Sequence, residues 1–135
     1  MKAMRGLLVL CLSVGYGTSF AQAGSTADPQ VVGVWRGHSV CMVKDSPCHD
    51  EVNVYRISAI AGKPRIYFVS GNKIVDGREQ VMGTGEWKYD VNTHELVHKF
   101  ANGIFRLEVK GEKMEGDLKL PDGTLFRQIF LEKDK

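Results

Sequence analysis

Most of this 135-residue chain lacks long apolar runs, helical periodicity, an excess of one charge and any grouped catalytic side chains, and each absence narrows its possible roles. The longest nearly apolar stretch covers residues 6–14, far short of the roughly 20 residues that a membrane-spanning helix needs. The net charge of +2 comes from Lys2 and Arg5, and the remainder carries 16 basic and 16 acidic residues without clustering. A balanced surface of this kind gives nucleic acid or an anionic membrane no electrostatic reason to bind. No internal repeat, low-complexity tract or linker divides the chain, so it has one domain. A nucleophile with a neighbouring base, a carboxylate dyad, a glycine-rich phosphate loop and a cofactor signature are likewise missing.

The first residues have a different character. Basic Lys2 and Arg5, the apolar run containing Leu7, Leu8, Val9, Leu10, Cys11 and Leu12, and a polar stretch ending in Ala21-Gln22-Ala23 follow the order of a secretory leader. The expected organisation is a signal peptide over 1–23, a small polar tether over 24–30 and one domain over 31–135, exported to the periplasm or the exterior. A lipid anchor on Cys11 would need a small residue before it, and bulky Leu10 stands there. No membrane anchor is therefore expected.

Cys41 and Cys48 remain beyond the leader, in a chain sent to an oxidising compartment. The turn-prone Asp45-Ser46-Pro47 between them can bring them together, and a structural disulfide is expected. The competing uses of such a pair, a metal site or a redox couple, do not usually have this spacing.

Short segments rich in Val, Ile, Phe and Tyr alternate with glycine-bearing turns, which reads as an all-β meander. Hairpin loops of two residues fix which residues face each other. A turn at Asn102-Gly103 pairs Phe100 with Phe105, His98 with Leu107 and Leu96 with Val109. One at Gly111-Glu112 pairs Val109 with Met114, Leu107 with Gly116 and Phe105 with Leu118. One at Asp122-Gly123 pairs Leu120 with Leu125, Leu118 with Arg127, Gly116 with Ile129 and Met114 with Leu131. All three put apolar residues on one face and Lys99, Arg106, Glu108, Lys110, Glu115, Asp117 and Lys119 on the other. A turn at residues 90–93 sets Trp87 opposite Leu96 and Tyr89 opposite His94, and Asp76-Gly77 marks a further hairpin. Strands are expected over 31–42, 51–59, 64–71, 73–76, 78–89, 95–101, 104–110, 113–120 and 124–132. Eight or nine strands on tight turns form a small antiparallel up-and-down barrel, with a two-sheet sandwich as the alternative.

Gly33-Val34-Trp35 on the first strand and inward Arg127 on the last resemble the calycin group, which comprises lipocalins, fatty-acid-binding proteins and avidins. The resemblance implies that Trp35 sits near the closed end with Arg127 packed across it. With its cysteine pair after the first strand, the chain is similar to small secreted bacterial lipocalin-like proteins. It is shorter than typical lipocalins and shows no helix before the last strand.

One motif points to catalysis. His94-Glu95-Leu96-Val97-His98 matches H-E-x-x-H, in which two histidines one helical turn apart, about 6 Å, hold zinc while Glu works on its water. The flanking turns make this segment a strand, which separates the histidines by about 13 Å and turns Glu95 to the opposite face. No enzyme, metal or cofactor is expected. His98 and the aromatics Trp35, Trp87, Tyr89, Phe100 and Phe105 either fill the barrel or line a pocket. The candidate ligand-facing residues are Trp35, Trp87, Tyr89, His98, Phe100 and Arg127. The chain thus reads as a binding protein for a small apolar or amphipathic ligand. The alternative is a protein-interaction module, such as an inhibitor of an envelope enzyme, that uses its disulfide loop or an outer face carrying Phe126 and Phe130.

Overall fold

The computed structural model describes residues 30–135, so the expected signal peptide over 1–23 and all but the last residue of the expected tether lie outside the described residues. Eight strands follow one another: β1 (Gly33–Cys41), β2 (Glu51–Ile60), β3 (Lys63–Val75), β4 (Arg78–Asp90), β5 (Glu95–Phe100), β6 (Gly103–Lys110), β7 (Lys113–Lys119) and β8 (Leu125–Lys133). Each pairs antiparallel with its neighbour in sequence, and β8 pairs with β1, from Trp35 opposite Lys133 to Cys41 opposite Arg127. The result is a closed barrel rather than a sandwich.

Alternation along the strands decides what goes inside. Trp35, Tyr55, Ile57, Tyr67, Val69, Trp87, Tyr89, Leu96, Leu107, Val109, Met114, Ile129 and Leu131 converge in one core. The outward residues between them carry the charges, as in the Glu95 and Arg106 pair at 2.9 Å across β5 and β6.

The turns at Asp76-Gly77 and Gly111-Glu112 fall where the sequence places them. Val75 faces Arg78 and Lys110 faces Lys113, with Asp76 and Gly77 both in the left-handed region at φ 52° and 74°, as a primed hairpin turn requires. The pairings Val109 with Met114, Leu107 with Gly116 and Phe105 with Leu118 also hold. So do Leu118 with Arg127, Gly116 with Ile129 and Met114 with Leu131.

Four expectations need correction. The segments 64–71 and 73–76 are one strand, β3, carried past Gly71 by a bulge: Gly71 faces Gly83 and Asn72 faces Val81, leaving Met82 as the extra residue. The β5–β6 loop is Ala101-Asn102, so His98 faces Phe105 and Leu96 faces Leu107, a register two positions from the one expected. Gly103 opens β6 instead of completing the turn, because it packs where any Cβ would strike the Lys119 carbonyl. The β4–β5 loop runs over 91–94, with Tyr89 facing Leu96. Finally, an irregularity after Leu118 sets Lys119, not Leu120, against Leu125. The slips at β5–β6 and β4–β5 are each by two positions, which preserves the inward face and therefore costs no burial, whereas the one-position shift after Leu118 is a local irregularity at the end of β7.

The two ends of the barrel differ. At the end holding the β2–β3, β4–β5 and β6–β7 turns, Trp35 is wholly buried and its indole N–H donates to the Val31 carbonyl at 2.9 Å. Lys133, not Arg127, lies across this indole, with Nζ 5.4 Å from the ring centroid and donating to the Gln30 carbonyl at 3.1 Å. Arg127 stands six residues back along β8, about 20 Å away at the strand rise. At the opposite end, Cys41 and Cys48 form a disulfide with Cα atoms 5.8 Å apart, closing the β1–β2 loop. The loop is further held by Asp50 Oδ1, which accepts from the Cys41 N–H at 2.9 Å. Replacing both cysteines by serine should lower the unfolding free energy by about 2 kcal/mol, read as a lower urea midpoint with an unchanged slope.

Candidate functional site

Side chains fill the barrel from Trp35 upward only part of the way. Above them, at the disulfide-bearing end, lies a cavity of about 490 Å³. Its two sides have different chemistry. One carries Trp87, His98, Phe100 and Phe105; the other carries Ser39, Glu51, Asn53, Tyr55 and Arg127. Leu118, Val69 and Ile129 also contribute apolar lining, and Met82 stands at the bulge of β4.

The aromatic wall is a set of nearly parallel rings. Trp87 and His98 stack with centroids 5.4 Å apart and planes within 7°, and His98 and Phe100 at 5.8 Å and 10°. Phe105 completes the group, 5.5 Å from Phe100 and 5.1 Å from Trp87. Tyr55 meets Trp87 edge-on at 6.1 Å.

A break in the β4–β5 ladder positions this wall. Backbone pairing stops at Lys88 opposite Val97, although β4 runs back to Arg78 and β5 on to Phe100. The His98 imidazole enters the gap, and its Nδ1 lies 3.0 Å from the Glu86 carbonyl. A carbonyl only accepts, so Nδ1 carries the proton. Gly85 makes the space, since a Cβ there would come within 2.9 Å of His98 Cε1.

On the polar wall, Arg127 NH1 donates to Ser39 Oγ and to the His49 carbonyl, both at 3.0 Å, and NH2 lies 3.4 Å from Glu51 Oε1. Lys73 Nζ approaches the same Glu51 oxygen at 3.9 Å. Two cations therefore share one carboxylate. Burial pushes the Tyr55 phenol well above its usual range, Glu51 adds to the rise and Arg127 partly offsets it, so this hydroxyl stays protonated. Asn53 Nδ2 donates to the Asn72 carbonyl at 3.3 Å, while its buried Oδ1 has no partner among the described residues.

Of the six residues picked from sequence, Trp87, His98, Phe100 and Arg127 line the cavity together. Trp35 and Tyr89 do not. Trp35 belongs to the sealed end, and Tyr89 lies in the packed core with its hydroxyl 3.0 Å from His94 Nδ1. The pocket and core readings of His98 both apply, since it lines the cavity and is hydrogen-bonded. The H-E-x-x-H segment is strand from Glu95 onward, and His94 sits in the preceding turn at φ 58°. Glu95 points outward to Arg106. The two histidines are thus committed to different partners on different parts of the barrel.

Sequence reading missed Ser39, Glu51, Asn53 and Tyr55. The signal was present in β2, where Glu51, Asn53 and Tyr55 recur at every second position and share a face. The long β1–β2 loop supplied no hairpin register with which to assign that face. Outside the cavity, Phe130 is exposed and stacks on His38 at 5.3 Å, while Phe126 lies beneath Arg127 at 5.6 Å.

The rim is tied down by the β3–β4 hairpin. Arg56 holds Glu79 through two hydrogen bonds of 2.8 and 2.9 Å, and Asn72 Nδ2 donates to the same carboxylate at 2.6 Å. The Arg56 guanidinium first, and then Asn72, bring the Glu79 carboxyl down to about 2. Its contribution to stability is complete above the ordinary carboxylate range and is lost as pH falls from about 4.5 toward about 2. A Glu79→Gln variant should therefore be less stable than the parent at neutral pH, the gap narrowing through that acid window in urea melts at stepped pH. His98→Leu, which keeps apolar bulk and removes the bond to Glu86, should cost about 1 kcal/mol in the same assay and shift Trp87 emission.

No protein-family model matches the chain, and a search among curated proteins finds no match. The closed eight-stranded antiparallel barrel is consistent with a lipocalin-like barrel, and the reading of function rests on the site itself.

Proposed function

We propose that this barrel is an exported, lipocalin-like binding protein that carries a small amphipathic molecule in its open half. The observation that carries the reading is the division of the interior: a sealed, packed end below a cavity of about 490 Å³, with an aromatic wall facing a polar one. Ligand sites commonly measure about 300–1,000 Å³ and combine apolar lining with a few fixed polar groups. Export is supported by the leader-like order of residues 1–23 and by the Cys41–Cys48 disulfide, a bond that persists in oxidising compartments. Binding rather than catalysis is favoured because His94 and His98 are each spent on a structural partner, Tyr89 and the Glu86 carbonyl.

The test is native mass spectrometry of the protein recovered, disulfide intact, from the compartment to which its leader sends it. The expected result is an extra mass of a few hundred daltons that is released on denaturation. A bare mass, together with no uptake of any amphipathic probe, would remove the carrier reading. It would move attention to the outer face around Phe130 and His38, where an exposed aromatic stack could meet a protein partner.

A further inference from the structure

We infer that the ligand enters and leaves through the side of the barrel, between β4 and β5, at a portal whose β4 lip is Met82-Gly83-Thr84. The inference rests on the carrier reading above and adds the route by which the cavity is loaded.

Exposure around the cavity is the first ground. Ser39, Asn53, Tyr55, Trp87 and Ile129 are buried where they line it, and most of the remaining lining is half-buried. Among the described residues, only Met82, Gly83 and Thr84 both line the cavity and stand exposed to solvent, and they are consecutive on β4. Residues that border both spaces mark where the two meet. Gly83 keeps the passage clear, since a Cβ built there would meet no atom within 4 Å.

The backbone supplies the second ground. In a closed barrel, a side passage normally requires ladder hydrogen bonds to break. Here the β4–β5 pairing stops at Lys88 opposite Val97, so no paired residues span the space between β4 from Arg78 to Trp87 and β5 from His98 to Phe100. Each lip is held from behind, Gly83 by Gly71 of β3 and Phe100 by Gly103 of β6. His98, bonded to the Glu86 carbonyl, forms the lower margin. The passage therefore exists before a ligand arrives.

The route along the barrel axis is obstructed by comparison. The Cys41–Cys48 staple closes the β1–β2 loop, and Arg127 ties that loop down through the His49 carbonyl at 3.0 Å. Arg127 and Glu51, 3.4 Å apart and largely shielded, would have to separate to let a ligand past, and parting a shielded ion pair is costly.

The experiment is stopped-flow fluorescence with 8-anilinonaphthalene-1-sulfonate, an amphipathic probe, on the disulfide-intact protein, on Gly83→Leu and on the Cys41→Ser/Cys48→Ser double variant. Leucine at 83 extends into the space that a Cβ finds empty and plugs the portal. Association and dissociation should both slow at least about 10-fold in Gly83→Leu, with Kd moving less than about threefold, because a blocked route alters rates and not the bound state. Gly83→Ala, a smaller plug, should fall between the two, and loosening the axial loop in the double cysteine variant should leave both rates within about twofold of the parent. Unchanged rates in Gly83→Leu, a weaker Kd with association unaltered, or faster exchange in the cysteine variant would each overturn the portal while leaving the carrier reading in place. Failure of the probe to bind the folded parent protein would overturn both.

Discussion

Burial of Trp35 divides the barrel. Its indole N–H is satisfied by Val31, its face is covered by Lys133, and the chain entering β1 is thereby drawn across one end of the cylinder. The large side chains of the core, Tyr67, Leu96, Leu107 and Met114 among them, pack in the same half, where each is almost wholly shielded. An eight-stranded barrel has an interior only just wide enough to be filled by side chains. Concentrating the bulk in one half allows the other to stay hollow without loss of a continuous core. The cavity is thus a consequence of where large and small residues fall along the strands, with Gly71, Gly83 and Ser39 at levels where Trp35 and Tyr67 have no counterpart.

The polar wall follows from the same division. Glu51 and Arg127 would be costly in a packed apolar interior, since removing a charge from water is repaid only by close partners. At the hollow end both keep partial solvent contact, with side-chain exposures of 11% and 13%, and each has its opposite charge in reach. Anchoring of Arg127 to the His49 carbonyl links this pair to the disulfide loop, so the staple and the cavity wall form one mechanical unit.

How much of this was legible in the sequence depended on what each signal specifies. The inward face was readable throughout β5 to β8, because alternation has a period of two and a slip of two positions leaves it intact. The register itself was readable only where turn residues had a single job. Gly111 and Gly77 serve their turns, whereas Gly103 answers a close backbone approach to Lys119, and Asn102-Gly103 consequently mimicked a turn signal displaced by one residue. The basic residue on Trp35 was misassigned for a related reason. Arg127 and Lys133 share the inward face of β8, and only the β1–β8 register, which no hairpin encodes, distinguishes the open end from the closed one. Four of the six candidate residues, Trp87, His98, Phe100 and Arg127, lay on strands with readable faces and line one cavity; the polar residues Glu51, Asn53 and Tyr55 lay on β2, beyond a loop too long to transmit register.

The interrupted ladder between β4 and β5 has a bearing on life at high concentration. A closed barrel normally hides every strand edge, yet here β4 from Arg78 to Glu86 lacks β5 as a hydrogen-bonded neighbour. Exposed backbone of this kind templates the addition of foreign strands and, with them, fibrillar growth. The stretch carries its own safeguards. Met82 bulges out of line, glycines at 83 and 85 weaken its strand propensity, and Arg78, Glu79 and Glu86 place charge at both ends. Self-association is discouraged at the very edge that the histidine wedge leaves uncovered.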